Sequence, residues 1–180
     1  MSYAGNLETA EIYLSAGLKD RTEEYINDVL SSVPEDEKTG DNAIYLKALE
    51  LKARLRLEAG DRESSAHCID EGLSLKHDHV DFLFLRSLLF WDMQRYDDMF
   101  VSLIDYLNAV TGELNPEFKY EYSGKNVVEK VMSDLLPESF RKAPSREQLA
   151  QAITARAGTS SSEVIRSIHY VVQEVQKHGS

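Results

Sequence analysis

Two segments of this 180-residue chain echo each other 34 residues apart, Gly60-Asp61-Arg62 and Gln94-Arg95-Tyr96. Each follows a leucine-rich run of helical composition. Each leads into an acidic helix start and a second apolar-periodic run. A period of about 34 residues is the length of one helix–turn–helix repeat of the stacking kind. Such a unit cannot bury its apolar face alone, so it stacks on neighbours and leaves a concave surface free. The period predicts an all-α chain of about eight helices, stacked as antiparallel hairpins, and points to a protein-binding module.

Charge narrows the partners. The net charge is −11 and the pI about 4.9, which argues against nucleic acid and anionic membrane, since both need clustered Lys and Arg. The same charge suits a basic peptide or a basic protein face. Residues 1–80 carry a net −8, residues 81–136 a net −5 and residues 137–180 a net +2. The change of sign near Pro137 separates a repeat domain, 1–136, from a C-terminal helical extension, 137–180. Cys68 is the only cysteine, so no internal disulfide forms, and its neighbours Ala66, His67 and Ile69 suit a small buried residue in mid-helix. The first eight residues have neither the basic start nor the apolar core of a secretory signal. The most apolar stretch, 80–93, contains Asp81, Arg86 and Asp92 and falls short of the roughly 20 apolar residues of a membrane span. A cytoplasmic protein is expected.

Along the chain, Asn6 is read as the first N-cap and Gly17 as a helix end. Asp20 with Glu23, Ser145 with Gln148, and Ser160 with Glu163 have capping-box spacing. Residues 44–58 alternate apolar and polar like a strand, yet 46–58 contain no β-branched residue and are rich in the best helix formers. A helix buried on two sides mimics alternation, so this run is read as helix. Gly72 inside the next helix costs about 1 kcal/mol relative to alanine, which points to close helix approach there. Thr111-Gly112 and Asn115-Pro116 break the pattern, and Ser123-Gly124 lies out of register with a further 34-residue step, so the strict period stops. Val164, Ile168, Val171, Val172 and Val175 give the last helix a clear apolar stripe.

These features make the chain resemble the tetratricopeptide repeat family. Leu49, Ala53, Gly60, Asp61, Ser65, Ile69 and Gly72 fall on the family pattern in one unit, and Leu83, Ser87, Tyr96, Met99 and Leu103 in the next. Lys52, Arg56, Arg86 and Tyr106 depart from it, and both units lack the proline that usually ends the second helix. The likeness covers roughly residues 43–110, with the N-terminal helix pair as a further candidate unit. It implies a right-handed helical solenoid whose concave face binds a partner peptide or helix. On the family's groove positions stand Lys47, Glu50 and Arg54, with Leu57, and then Asp81, Phe84, Leu88 and Trp91. Members that hold a chaperone's C-terminal carboxylate use Lys, Asn and Arg. Here Lys47 and Arg54 lack the asparagine, and Phe84 and Leu88 replace the second polar set.

Each candidate has a plainer alternative. Phe84, Leu88 and Trp91 at helical spacing are either core or an aromatic-anchored binding stripe. Lys47 and Arg54 either pair with Glu50 and Glu58 or meet a ligand. Arg86 needs a partner if buried. His77-Asp78-His79 cannot aim three adjacent side chains at one ion, so no metal is expected, and no cofactor motif, paired catalytic carboxylates or nucleophile elbow is present. The expected role is a non-catalytic adaptor binding another protein or peptide. The alternative is a small acidic chaperone for a basic or apolar client segment. The last helix either caps the stack or carries a partner or homodimer contact.

Overall fold

A computed structural model describes residues 2–113 and 127–178. Among the described residues there is no β-strand. The helices are α1 (Tyr3–Ser15), α2 (Lys19–Ser32), α3 (Ala43–Glu58), α4 (Arg62–Leu75), α5 (Val80–Asp92), α6 (Tyr96–Glu113), α7 (Val127–Lys130), α8 (Leu136–Lys142), α9 (Arg146–Thr159) and α10 (Glu163–His178). A single 3-10 turn, Glu35–Glu37, precedes α3, and a π-helical turn, Val131–Leu135, joins α7 to α8. The chain forms two compact units, Met1–Leu85 and Arg86–Ser180, with the boundary inside α5.

In the first unit each helix packs on its chain neighbour: α1 on α2, α2 on α3, α3 on α4, and α1 also meets α3. Turn chemistry produces this pairing. Gly17 and Gly60 have φ of +75° and +79°, the left-handed conformation glycine adopts at least cost. At each, two backbone bonds close the helix end: Gly17 N–H to Leu14 O and Leu18 N–H to Tyr13 O, then Gly60 N–H to Leu57 O and Asp61 N–H to Arg56 O. This is the Schellman arrangement. In the second unit Gln94 repeats it, with φ 57°, Gln94 N–H to Trp91 O and Arg95 N–H to Phe90 O. The 34-residue echo is therefore one hairpin turn used twice, and Gly17 is a third copy. A side chain in the left-handed region is strained, so Gln94→Gly is expected to stabilise the protein by about 0.5–1 kcal/mol. Thermal melting would register a higher midpoint; a lower one would contradict the turn assignment.

Residues 46–57 are helical, and α3 is buried on two sides: Leu46, Leu49 and Ala53 on one, Leu51 and Leu55 on another. Two buried faces generate the strand-like alternation. Ser65, on α4, is fully buried and donates its hydroxyl to Ala53 O at 2.8 Å. Arg56, a departure from the repeat pattern, ion-pairs with Glu23 of α2. Gly72 does mark a close approach: a Cβ there would lie 2.4 Å from the ring of Phe82 in α5.

Several caps differ from expectation. Ser2, not Asn6, caps α1, accepting from Gly5 N–H at 3.2 Å, while Asn6 is buried within the helix. α2 starts at Lys19 after Leu18, with no side-chain cap; Asp20 sits in its first turn. Ser145 precedes α9 but caps nothing with its side chain; its N–H donates to Asp97 Oδ1 at 3.0 Å. For α10 the cap moves from Ser160 to Ser162, whose Oγ lies 3.4 Å from Ile165 N, and Ser160 Oγ accepts from Ser162 N–H. For α1 and α10 the true helix start selects among nearby Ser and Asn residues of similar capping propensity, whereas α2 and α9 start without a side-chain cap. α6 runs through Thr111-Gly112 to Glu113. Asn115-Pro116 and Ser123-Gly124 lie outside the described residues.

The second unit is tied by α8 and α10. α8 packs on α6 and α9, and α10 packs on α6, α8 and α9. Ile165, Ile168, Val172 and Val175 of α10 are all buried in it. Arg86 finds its partners on α6, donating to Asp105 Oδ2 at 3.0 Å and Ser102 Oγ at 3.1 Å. Pro137 sits in the first turn of α8. It cannot donate to the carbonyl four residues back, and its ring crowds that carbonyl. The π turn just before it, closed by Leu136 N–H to Val131 O, widens the helix to admit it.

Candidate functional site

The first unit contains a cavity of about 340 Å³ at the N-terminal half of α3. Besides α3 itself, its walls come from three places: the loop before α3 (Gly40, Asp41), the α4–α5 connection (Lys76, His79) and the first turn of α5 (Asp81). Backbone chemistry sets the walls. Asn42 caps α3 by accepting the N–H groups of Ile44 and Tyr45, both at 3.1 Å. Gly40 touches the end of α4 so closely that a Cβ would lie 2.4 Å from Leu75 O. Lys47 and Glu50, one helical turn apart on α3, then line the cavity.

Glu50 is the unusual member. Its side chain is only 4% exposed and is paired with Lys47, Nζ to Oε2 2.8 Å, while the Lys47 side chain is 34% exposed. The contact is an ion pair by distance, but Glu50 Oε2 lacks hydrogen-bond alignment. A buried carboxylate with so few partners is costly. His79 turns inward, with its ring 4.6 Å from that of Phe82 and its Nδ1 buried without a hydrogen-bond partner. Burial first, then Lys76 and Lys47, push its pKa down to about 4, against the opposing pull of Asp78. The imidazole is neutral near pH 7. On the far side of α3, the Tyr45 hydroxyl donates to Glu71. Burial, then that carboxylate, raise the Tyr45 phenol well above its ordinary range.

Of the sequence-predicted residues, Lys47, Glu50 and Asp81 converge on this one cavity. Arg54 is farther along α3 and pairs with Glu58 at 3.4 Å, itself held by Lys19 at 2.8 Å. Phe84 is buried, 3% exposed. Leu88 and Trp91 belong to the second unit and are half-buried. There Trp91 meets Tyr96 edge to face at 5.8 Å, with Lys142 Nζ 4.9 Å from the Trp91 ring. Sequence reasoning missed Gly40, Lys76 and His79 as parts of the site. The His77-Asp78-His79 run drew notice only as a metal motif. Its useful signal is that His79 directly precedes the most apolar helix, so its ring enters the core. His77 and Asp78 are exposed, and among the described residues no three His, Cys, Asp or Glu side chains group to hold a metal. Cys68 is buried, which pushes its thiol pKa up. No described helix is long and apolar enough to cross a membrane.

Compared with protein-family models, with curated proteins and with solved structures, the chain matches none.

Proposed function

We propose that the chain is a non-catalytic protein-interaction module of the tetratricopeptide-like kind, and that a partner polypeptide binds at the cavity lined by Lys47, Glu50 and Asp81. The observation carrying this reading is their convergence: three groove positions, two from α3 and one from α5, border one cavity. The solenoid reading is supported by the hairpin order of the first unit, where α1 meets α3 as well as α2, and by the turn repeated at Gly17, Gly60 and Gln94. Stacked hairpins of this type present their first helices to a ligand. The cavity mixes both signs of charge and keeps a neutral imidazole at its edge, a lining suited to a polar peptide segment.

A holding chaperone for a basic client is the second reading, favoured by the net −8 of residues 1–80. Suppression of a basic client's aggregation would separate it from an adaptor. The test of the site itself is the affinity of an identified, purified partner for the wild-type chain and for Asp81→Lys.

A further inference from the structure

We propose that Trp91 and Tyr96 form a cation-binding aromatic pocket for a Lys or Arg side chain of a basic partner segment, and that Lys142 occupies this pocket in the free protein. The proposal deepens the interaction-module reading by naming the partner's chemistry, and it rests on a separate place in the molecule. Trp91 lies near the end of α5 and Tyr96 opens α6, on either side of the left-handed turn at Gln94. The turn sets the two rings at 87°, with centroids 5.8 Å apart. Lys142 Nζ sits 4.9 Å from the Trp91 centroid and 5.4 Å from that of Tyr96. Both distances are within the range in which an aromatic face attracts an ammonium. The pocket therefore already holds the kind of group proposed as its ligand.

Lys142 is suited to leaving. Its side chain is 43% exposed, and its Nζ is also 3.2 Å from Glu138 Oε1, so the ammonium keeps an ion partner when it swings away from the rings. Glu138 accepts from Lys142 and Arg141, which hold its carboxyl below the ordinary range. The lysine is not what fastens α8. Leu136 and Phe140 are buried, Phe140 packs on Phe100 of α6 at 5.6 Å, and Asp97 holds the backbone after α8 through Ser145. Beside the pocket the Arg95 guanidinium lies 4.6 Å over Phe90, so the same turn carries a second cation–aromatic pair. The net charge of −11 draws a basic segment toward the protein, and arginine or lysine is the side chain that such a segment offers.

Trp91 is the only tryptophan, so its fluorescence reports on this pocket alone. The full chain is titrated with a fluorophore-labelled Arg-Gly repeat peptide and its Glu-Gly counterpart. Peptide anisotropy reads total binding and Trp91 emission reads the pocket. A saturable change in Trp91 emission is expected with the Arg-Gly peptide only. Lys142→Gln removes the competitor and is expected to lower the half-saturating concentration about two- to fivefold, the size of one cation–aromatic contact. Tyr96→Leu is expected to raise it by a similar factor, while Tyr96→Phe, which keeps a ring, holds it near wild type and guards against misfolding. Arg146→Gln makes the same change of net charge outside the pocket and is expected to leave it unchanged. The proposal is overturned if Trp91 emission does not respond saturably, or if Lys142→Gln and Arg146→Gln have equal effects. Anisotropy that falls with Asp81→Lys yet ignores Tyr96→Leu would assign the basic segment to the α3–α5 cavity, sinking this inference and leaving the interaction module intact. The reverse pattern would remove the cavity and keep the aromatic pocket.

Discussion

Alanine at Gly72 is expected to destabilise the protein by about 2 kcal/mol, even though alanine is the better helix former. Two effects oppose each other. Helix propensity favours alanine by about 1 kcal/mol. Against it, the new Cβ would lie 2.4 Å from two carbons of the Phe82 ring and 2.7 Å from a third. That ring is fully buried and lies tilted against His79, centroids 4.6 Å apart, so it cannot step aside without moving its neighbours. Overpacking of this kind costs about 1–3 kcal/mol, and so severe a contact belongs at or beyond the upper end of that range. Overpacking wins. Urea unfolding followed by circular dichroism would show a lower midpoint at an unchanged slope. In a Phe82→Leu background the cost of Gly72→Ala should shrink, because the two sites share one contact. An unchanged or higher midpoint for the single variant would mean that α4 and α5 are not in contact at this point.

Lys47→Met is expected to destabilise the protein by about 2 kcal/mol, although lysine is a common surface residue. Removing the ammonium leaves the Glu50 carboxylate, 4% exposed, without its ion partner. Breaking a fully buried pair costs about 3–5 kcal/mol; Lys47 is one-third exposed, so solvent reduces the loss. The double variant Lys47→Met with Glu50→Leu should recover most of the stability, since an apolar pair of similar volume avoids desolvating charge. A double-mutant cycle in chemical denaturation measures this directly. If Glu50→Leu alone costs as much as Lys47→Met and the two losses simply add, the pair is not coupled and the electrostatic account of the cavity fails.

Much of this molecule was legible in its residues, for local reasons. The helix over 43–58 could be read through its misleading alternation because leucine, alanine, lysine, glutamate and arginine favour helix whatever face they occupy. The echo at Gly60 and Gln94 was legible because a hairpin of fixed helix length repeats its turn at a fixed spacing. Gly72 announced a close helix approach because a glycine in mid-helix needs a reason, and the structure identifies the neighbour as Phe82. What stayed hidden depends on approach between distant segments. Nothing local tells Ser2 from Asn6 as a cap, since either side chain can accept the first free N–H groups. The diversion of Ser145 N–H to Asp97 spans 48 positions. The π turn before Pro137 is a repair of a hydrogen-bond register, not a propensity. In the cavity, Lys47, Glu50 and Asp81 were reachable as the groove positions that the tetratricopeptide resemblance implies. Gly40, Lys76 and His79 enter it because the loop before α3 presses on the end of α4.

The most direct measurement is calorimetric titration of the intact chain with its partner, once a co-purifying polypeptide has been identified and purified. The cavity reading predicts that Asp81→Lys weakens the affinity at least tenfold, roughly 1.4 kcal/mol, in a variant that keeps its helical circular dichroism. It also predicts that Arg146→Lys, on the exposed first turn of α9, leaves the affinity at its wild-type value. Wild-type affinity in a folded Asp81→Lys variant would contradict the account, because a partner seated among Lys47, Glu50 and Asp81 cannot ignore a reversal of charge in the wall of its site.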